Sequence, residues 1–521
     1  MGAQNQQPGQ HSGATAAVAD SASHPAMKLF NTLSGQVEPL SPSEGKIFRM
    51  YACGPTVYDY GHIGNFRTFL QIDVLRRFLR LQGLTLRHVM NITDVDDKII
   101  RNSSAAGVSI SDYTRKYEQA FFEDLDALQV ERPEVVARAT EHIPSMVSLI
   151  QRLAAQDIAY RAEDGSWYFR IARFPEYGKL SKKDFTGIAD GARIDLDEYE
   201  KDSARDFALW KAPKPGEHQW DTPLGPGRPG WHIECSAMSM EYLGDSFDLH
   251  AGGEDLMFPH HENEIAQSES ASHHPFARHW FHVRFLLVEN QKMAKSAGNF
   301  YTLRDLLLRG YKASAIRLLL ISVPYRRQLN FTFEELAAVT IAVDRLRTFH
   351  QRMLTTHWPE RPATSAGSGD IAALAREARQ RFSAALADDL NTANALAAIF
   401  DMVRLVNARA DAGEFFVGDK SAVLETLHQF DQVFAILEDR DAEWTRFTLD
   451  WAEREGRLGE AAPEVLATRE LSDEQIQELI EKRNQAKRRR DFATADQIRN
   501  DLAAKGIILE DSKEGVRWKR K

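Results

Sequence analysis

Cysteine occurs only twice in this chain, as Cys53 and Cys235. A lone long-range pair in a sequence with no secretion signal argues against a disulfide framework. A further run of donors lies at Phe258-Pro259-His260-His261-Glu262-Asn263-Glu264. Read as a helix with proline near its first turn, this run puts His260 and Glu264 on one face, because they are four residues apart. Zinc accepts cysteine, histidine and glutamate ligands. Alone, a His/Glu pair is a solvated helix face and each cysteine a small buried hydrophobe. Two isolated cysteines brought in from other strand ends turn the balance toward a metal site. His250, His261 and Glu262 compete as ligands.

Two other stretches suit phosphate. In Cys53 to Phe69, CGPTVYDYGHIGNFRTF, an apolar run over Ile47 to Ala52 precedes Gly54-Pro55, and a helical pattern follows through Phe69, Ile72, Leu75 and Leu79 to a stop at Gly83. His62, Gly64 and Asn65 therefore stand where a strand turns into a helix, where free N–H groups and the positive dipole end favour a phosphate. Gly61 and Gly64 would let a nucleotide approach the backbone. The bland alternative is an ordinary strand-to-helix turn. Farther on, Lys292 and Lys295 lie three apart in Lys292-Met293-Ala294-Lys295-Ser296-Ala297-Gly298-Asn299. Two mobile ammonium groups on such a loop can clamp a polyphosphate, although a loop of this kind is more often merely solvated.

The elements that must carry these residues read as α/β. Ile47 to about Thr93 has the pattern strand, helix, strand of a parallel sheet, and Asn91-Ile92-Thr93-Asp94 falls just past the second strand, where ligands bind. Residues 112–156 read as helical, and short strands are expected at Trp167 to Ile171 and Asp206 to Trp210. Together with the Gly, Pro and charge between Lys211 and Gly230, they read as an insertion, after which the alternation resumes from Trp231 through Phe247 to Phe285–Val288. Amphipathic periods at 334–354, 371–387, 391–410 and 419–438 predict an antiparallel helical bundle. The expected division is a disordered tail (1–26), a Rossmann-like domain in two halves (27–110 and 226–325), a connective insertion (111–225), a helical bundle (326–440), a linker (441–471) and a small C-terminal region (472–521). Arg483, Lys487 and Arg490 share a helical face, and Trp518 stands among Arg517, Lys519 and Arg520. Basic plus aromatic residues suit an RNA strand; otherwise this is a solvated charged helix.

Composition limits the function. At 521 residues, 43% apolar, the chain can form several cores, and its net charge of −10 excludes a generally basic nucleic-acid binder. It contains no apolar run long enough to span a membrane. Residues 2–26 lack the basic and apolar regions of a secretory signal.

Taken together, the motifs resemble the class I aminoacyl-tRNA synthetases, and among them the cysteinyl-tRNA synthetases. The resemblance runs from about Met27 to Lys521, and it implies that the Rossmann-like domain is catalytic and that the small C-terminal region (472–521) is anticodon-binding. It rests on Cys53 to Asp59, His62-Ile63-Gly64-Asn65, Asn91 to Asp94, Gly230 to Ser236, Phe258 to Glu264 and Lys292 to Ser296. It departs from the family pattern at Asn65, often histidine, and at Ala294, usually serine. The resemblance implies an ATP-dependent ligation of L-cysteine to the terminal ribose of tRNA(Cys) through cysteinyl-adenylate, with Mg2+ accompanying ATP. It implies that His62, Asn65, Lys292 and Lys295 act in catalysis and contact phosphates, with Gly64, Gly253 and Asp255 also at ATP. Thr56, Thr93 and Trp231 would line the amino-acid pocket. One zinc on Cys53, Cys235, His260 and Glu264 would select the substrate thiolate over serine's hydroxyl, with Glu264 the ligand most readily displaced. A cytoplasmic monomer with no membrane partner is the expected setting. Two rivals remain: a ligase of the same lineage joining cysteine to an amino sugar, and a non-catalytic RNA-binding paralogue. The helical, basic C-terminal region favours a tRNA acceptor, and the complete lysine and ligand sets favour an enzyme.

Overall fold

The computed structural model describes residues 25–183, 193–194, 206–214, 217–362, 369–469, 473–489, 491–504, 507–512 and 515–520. At its centre are five parallel strands: β1 (Ile47–Ala52), β2 (Thr85–Ile92), β3 (Val135–Arg138), β4 (Phe247–Gly253) and β5 (Ala277–Val283). They lie side by side in the order β5-β4-β1-β2-β3. From β1 the chain moves one way, to β2 and β3; after the insertion it returns on the other side of β1 as β4 and then β5. Such a reversal opens a crevice beyond the carboxyl ends of the two strands where the order switches. Those ends are Cys53, immediately after β1, and Gly253, the last residue of β4.

Burial explains the sheet. All β4 residues but Gly253 are buried, as expected of a parallel strand covered on both faces. Helix α1 (Ile63–Leu81) covers one face and buries Phe66, Phe69, Leu70, Val74, Leu75 and Phe78. Helices α2 (Trp231–Leu243) and α3 (Glu262–Ser272) pack against each other, in a core that joins Ile233, Met238 and Ile265 to Trp280 of β5.

Strand β3 lies within 112–156, the stretch expected to be helical throughout, and extends the catalytic sheet through Val89↔Val135 pairing. Its four residues sit between two amphipathic helices, Ile110–Ala127 and Ile143–Ala155. Their apolar period masks so short a strand. An insertion boundary at 111 is therefore too early. The insertion proper is a mainly antiparallel sheet in which Asp206–Lys211 pairs with Trp167–Phe169, and the latter with Ala159–Arg161, while Arg193–Ile194 joins it in parallel. Phe169, Phe207 and Trp210 share a core with Ile233 and Cys235.

Helices at Phe333–Thr355, Gly369–Ala387, Thr392–Asp411 and Lys420–Phe434 form the bundle. The segment expected as a linker, 441–471, is instead largely helical, at Asp441–Arg454 and Pro463–Ala467. Trp444, Thr448, Leu449, Trp451 and Ala452 give it a buried face that the many charges disguise, and Leu449, Trp451 and Val465 pack with Leu308. Two helices (Asp473–Arg488, Phe492–Ala504) and an antiparallel hairpin (Ile507–Ser512 with Gly515–Arg520) make up the last unit around Ile476, Ile480, Leu502 and Leu509. The tail expected to be disordered falls outside the described residues up to 24. No described helix is long and apolar enough to cross a membrane.

Candidate active site

The switch point gathers the donors. Cys53 enters from the end of β1, Cys235 from the first turns of α2, and His260 and Glu264 from the start of α3. Cys235 is thus on a helix, not at a strand end. Gly230 starts that helix, and a Cβ there would lie 2.1 Å from the Ala208 carbonyl, so α2 can begin this close to the insertion only with glycine. The chain before α3 is a widened turn over Met257–His261, and regular helix begins at Glu262. His260 and Glu264 still meet, with Nε2 3.0 Å from Oε1.

All four are buried, with donor atoms within 4.8 Å of one another. Tetrahedral zinc with Zn–S near 2.3 Å would place two sulfurs about 3.8 Å apart, and a sulfur and a carboxylate oxygen about 3.6 Å apart. The Cys53 and Cys235 sulfurs are 3.9 Å apart, and Cys53 Sγ is 3.7 Å from Glu264 Oε1. The donor set and spacing fit zinc. An overlapping set, Cys53, His250, His261 and Glu264, also converges. Here His261 Nε2 lies 3.3 Å from Cys53 Sγ, and His250 Nε2 is 2.8 Å from Glu264 Oε2. The third competitor, Glu262, points elsewhere and accepts the backbone N–H groups of Leu180 and Ser181 in the insertion.

Electrostatics in the pocket follow from burial and pairing. Burial would raise the Glu264 carboxyl, but His250 and His260 outweigh it and hold its pKa down to about 2. Burial pushes the Cys53 thiol well up. For Cys235 the hydrogen bonds from Cys53 and His260 overcome burial, so it is the sulfur favoured as thiolate. Sequence reasoning missed His282, whose Nε2 is 2.8 Å from His261 Nδ1 and whose Nδ1 meets Thr32 Oγ1 at 2.8 Å. A second histidine three residues after His279, in the aromatic and apolar end of β5, was the available signal.

Beside the donors, Trp231 and His260 rings lie 4.2 Å apart. Thr93 sits next to the same helix, its hydroxyl donating to Glu234 Oε2 at 2.9 Å while accepting from Asn91 Nδ2 at 3.1 Å. Burial drives the Glu234 carboxyl well above its ordinary pKa. Thr56 and Thr93 bridge the loops after β1 and β2, and the first of these loops runs so close to the end of β2 that a Cβ on Gly54 would lie 1.7 Å from the Asn91 carbonyl oxygen.

The helix start has a particular geometry. His62 caps α1: its Nδ1 accepts the Asn65 N–H, and its own N–H donates to Asn65 Oδ1, each at 3.1 Å. With Nδ1 accepting, the ring hydrogen belongs on Nε2. Burial, reinforced by the Lys295 charge, lowers the His62 pKa to about 4. His62 is therefore a neutral donor near pH 7. Asn65 completes the cap. A Cβ on Gly64 would touch the His62 ring at 3.0 Å and Met293 Cε at 3.3 Å, so the lysine loop rests on this turn. Lys292 is exposed in a short strand pairing with Leu287–Val288, and Lys295 opens the turn that follows. Asn299 ties the loop, accepting from Ala294 N–H at 2.9 Å and donating to the Lys292 carbonyl at 3.2 Å. Gly253 ends β4 and Asp255, exposed, folds back over it: a Cβ on Gly253 would lie 2.4 Å from Asp255 Oδ1.

Among the described residues, those expected at RNA are not brought onto one exposed face. Arg483 is buried, 2% exposed, on the inner side of its helix beside Ile480. Lys487 is half-buried. Trp518 packs on the unit's apolar core, and Arg490 lies outside the described residues. A basic residue at helical spacing with Ile476 and Ile480 belongs to the core stripe.

Comparison with known proteins adds to this geometry. Residues 39–341 match the family model of the tRNA synthetases class I (C) catalytic domain. The methionyl-tRNA synthetase of Mycobacterium tuberculosis, solved in complex with methionyl-adenylate, shares the fold, with a TM-score of 0.56 at 17% identity over 81% of this chain and 95% of that one. The molecule is a class I aminoacyl-tRNA synthetase. Residues 381–438 match the DALR domain and residues 468–518 the cysteinyl-tRNA ligase anticodon binding domain. A cysteine–tRNA ligase of Koribacter versatilis (strain Ellin345) is 59% identical over 500 residues, covering 95% of this chain and 100% of the relative. One from Solibacter usitatus (strain Ellin6076) is 54% identical over 496 residues, with coverage of 95% and 100%. Within its class, the chain belongs to the cysteine–tRNA ligase family.

Proposed function

We infer that this chain uses ATP to ligate L-cysteine to the 3′-terminal ribose of tRNA(Cys). In the first step the cysteine carboxylate attacks the α-phosphorus, giving cysteinyl-adenylate and releasing pyrophosphate. In the second, a ribose hydroxyl of the tRNA attacks the acyl carbon and AMP leaves. The observation that carries the cysteine reading is the buried convergence of Cys53, Cys235, His260 and Glu264 at the sheet's switch point. We assign the metal to these four because they include both sulfurs. His250 then holds Oε2 of Glu264 at 2.8 Å and leaves Oε1 toward the ligand set, the outer hydrogen bond that metal-bound carboxylates ordinarily have. Zinc bound there supplies a soft centre that prefers a thiolate to a hydroxyl.

The remaining chemistry is assigned to the chain's own groups. His62 donates from Nε2 to a phosphate oxygen, and Lys292 and Lys295 meet the charge that grows as pyrophosphate leaves, where preorganised donors have most effect. Magnesium accompanying ATP would share that charge. Gly253 and Asp255 face adenosine, and Thr56, Thr93 and Trp231 the amino acid. The C-terminal unit takes the anticodon end of tRNA(Cys). The test is charging of tRNA with labelled cysteine, with serine as control. Cysteinyl-adenylate formation without tRNA charging would move the reading to an amino-sugar acceptor.

A further inference from the structure

The Lys295 ammonium is not waiting free for phosphate. Its Nζ lies 2.5 Å from Asp59 Oδ2 and 5.1 Å from the centre of the Phe300 ring. The two partners differ in how they are held. Lys295 is 65% exposed on the loop that rests on the α1 turn, whereas Asp59 is 37% exposed in a segment tied to other elements at two points. Asp59 Oδ1 accepts the Tyr60 N–H at 2.8 Å. The Tyr58 carbonyl accepts the Tyr113 hydroxyl at 2.8 Å, and the Tyr60 hydroxyl accepts Trp451 Nε1–H at 3.1 Å. Asp59 thus stands between two anchored tyrosines, and Lys295 on the more exposed side of the pair.

We propose that Asp59 is a positioning residue: the resting counterion of Lys295, displaced from it by the ATP polyphosphate. This rests on Lys295 being a phosphate ligand. An exposed ion pair of this kind is weak, so several phosphate charges together displace one carboxylate. The pair keeps the ammonium within reach of the α1 turn without ATP, and every ATP that binds must break it. Asp59 thereby lowers ATP affinity and prevents Lys295 from capturing anions that carry too little charge.

Binding of a non-hydrolysable ATP analogue and of adenosine, measured by calorimetry with Mg2+ on the zinc-loaded full chain, separates the outcomes. Asp59→Asn keeps the side chain's shape and is expected to tighten analogue binding by up to about five-fold at low salt, the range of a surface ion pair. Adenosine binding should not change. In a Lys295→Ala background the Asp59→Asn effect should vanish, because the two act on one interaction. Tightening that persists without Lys295 overturns the proposal. So does unchanged or weakened analogue binding in Asp59→Asn; weakening that depends on Mg2+ would instead make Asp59 a ligand of the metal–ATP complex. If Lys295→Ala alone leaves analogue affinity and pyrophosphate exchange intact, Lys295 is not at the phosphates and the proposal falls with that assignment.

Discussion

At the scale of single residues, Cys235 decides between the two converging donor sets. It supplies one of two sulfurs in the assigned zinc set, whereas the overlapping set of Cys53, His250, His261 and Glu264 omits it. Cys235→Ala should reduce bound zinc from one per chain to well below stoichiometric by elemental analysis, and should raise serine activation relative to cysteine in pyrophosphate exchange. Full zinc occupancy in that variant would remove Cys235 from the ligand set. Gly54 matters through the backbone. Its missing Cβ would collide with the Asn91 carbonyl at 1.7 Å, and its N–H donates to Asn91 Oδ1 at 2.8 Å. Gly54→Ala must push apart the loops that carry Cys53 and Thr93, and should cost about 1–3 kcal/mol in urea melts as an overpacked position does, with activity lost beyond that. Gly418→Ala, with open space around its Cβ, should leave both unchanged. The residue types in these motifs were visible in the chain, because donors at fixed spacing declare their chemistry. What hid was partnership: nothing local shows that Asn65 caps α1 with His62, or that Glu262 holds the insertion and not a metal.

Elements are tied together by buried ion pairs, and one is central. Arg317, on the helix Ala313–Ser322, bonds Asp73 of α1 at 2.6 Å, with both side chains fully buried. It also donates to the Phe434 carbonyl and to the Leu128 carbonyl, each at the end of a helix where free carbonyls carry negative potential. The one guanidinium therefore joins the catalytic layer to the bundle. Burial would raise the Asp73 carboxyl, but Arg317 and Arg77 bring it below its ordinary value. A depressed carboxyl contributes stability above its unfolded pKa, about 3.9, and that stability is lost as pH falls through the folded value. Asp73→Asn should destabilise the protein by about 3–5 kcal/mol at neutral pH, because it leaves a buried charge with neutral partners only. Its deficit against the parent should shrink below pH 4, as followed by thermal melts across pH. Equal deficits at pH 7 and pH 3 would show that packing, not charge, was lost. Neither Arg317 nor Asp73 was legible as a pair, being far apart in sequence and each inside an ordinary amphipathic pattern. The long helices and the first two strands were legible because their apolar period runs over many residues. Strand β3 was not, because four residues between two helices carry too little period to separate from them.

For the whole molecule, the question is where the catalytic unit ends. The motifs alone put all adenylate chemistry before Asn299, and a reading by composition makes 441–471 a tether. The structure instead packs this segment on the active-site side of the sheet. Trp451 bonds Tyr60, two residues before His62, and Arg457 pairs with Asp305 at 2.8 Å beyond the lysine loop. The Ala462 N–H donates to the Leu308 carbonyl at 2.8 Å. Two truncations therefore have different outcomes. A chain ending at 471 keeps all these contacts and loses only the C-terminal unit. It should retain cysteine-dependent pyrophosphate exchange near that of the full chain, while tRNA charging falls sharply through a higher KM for tRNA. A chain ending at 440 also loses Trp451 and Arg457, freeing the 58–60 segment and the helix after the lysine loop, and its exchange should fall as well. The affinity of the full chain for tRNA should drop steeply with salt, because phosphate contacts release counterions, whereas exchange should vary little. If the shorter truncation exchanged pyrophosphate as well as the longer one, the helix Asp441–Arg454 would be a strut for the C-terminal unit alone. If the longer one charged tRNA like the full chain, the last unit would not be the anticodon reader.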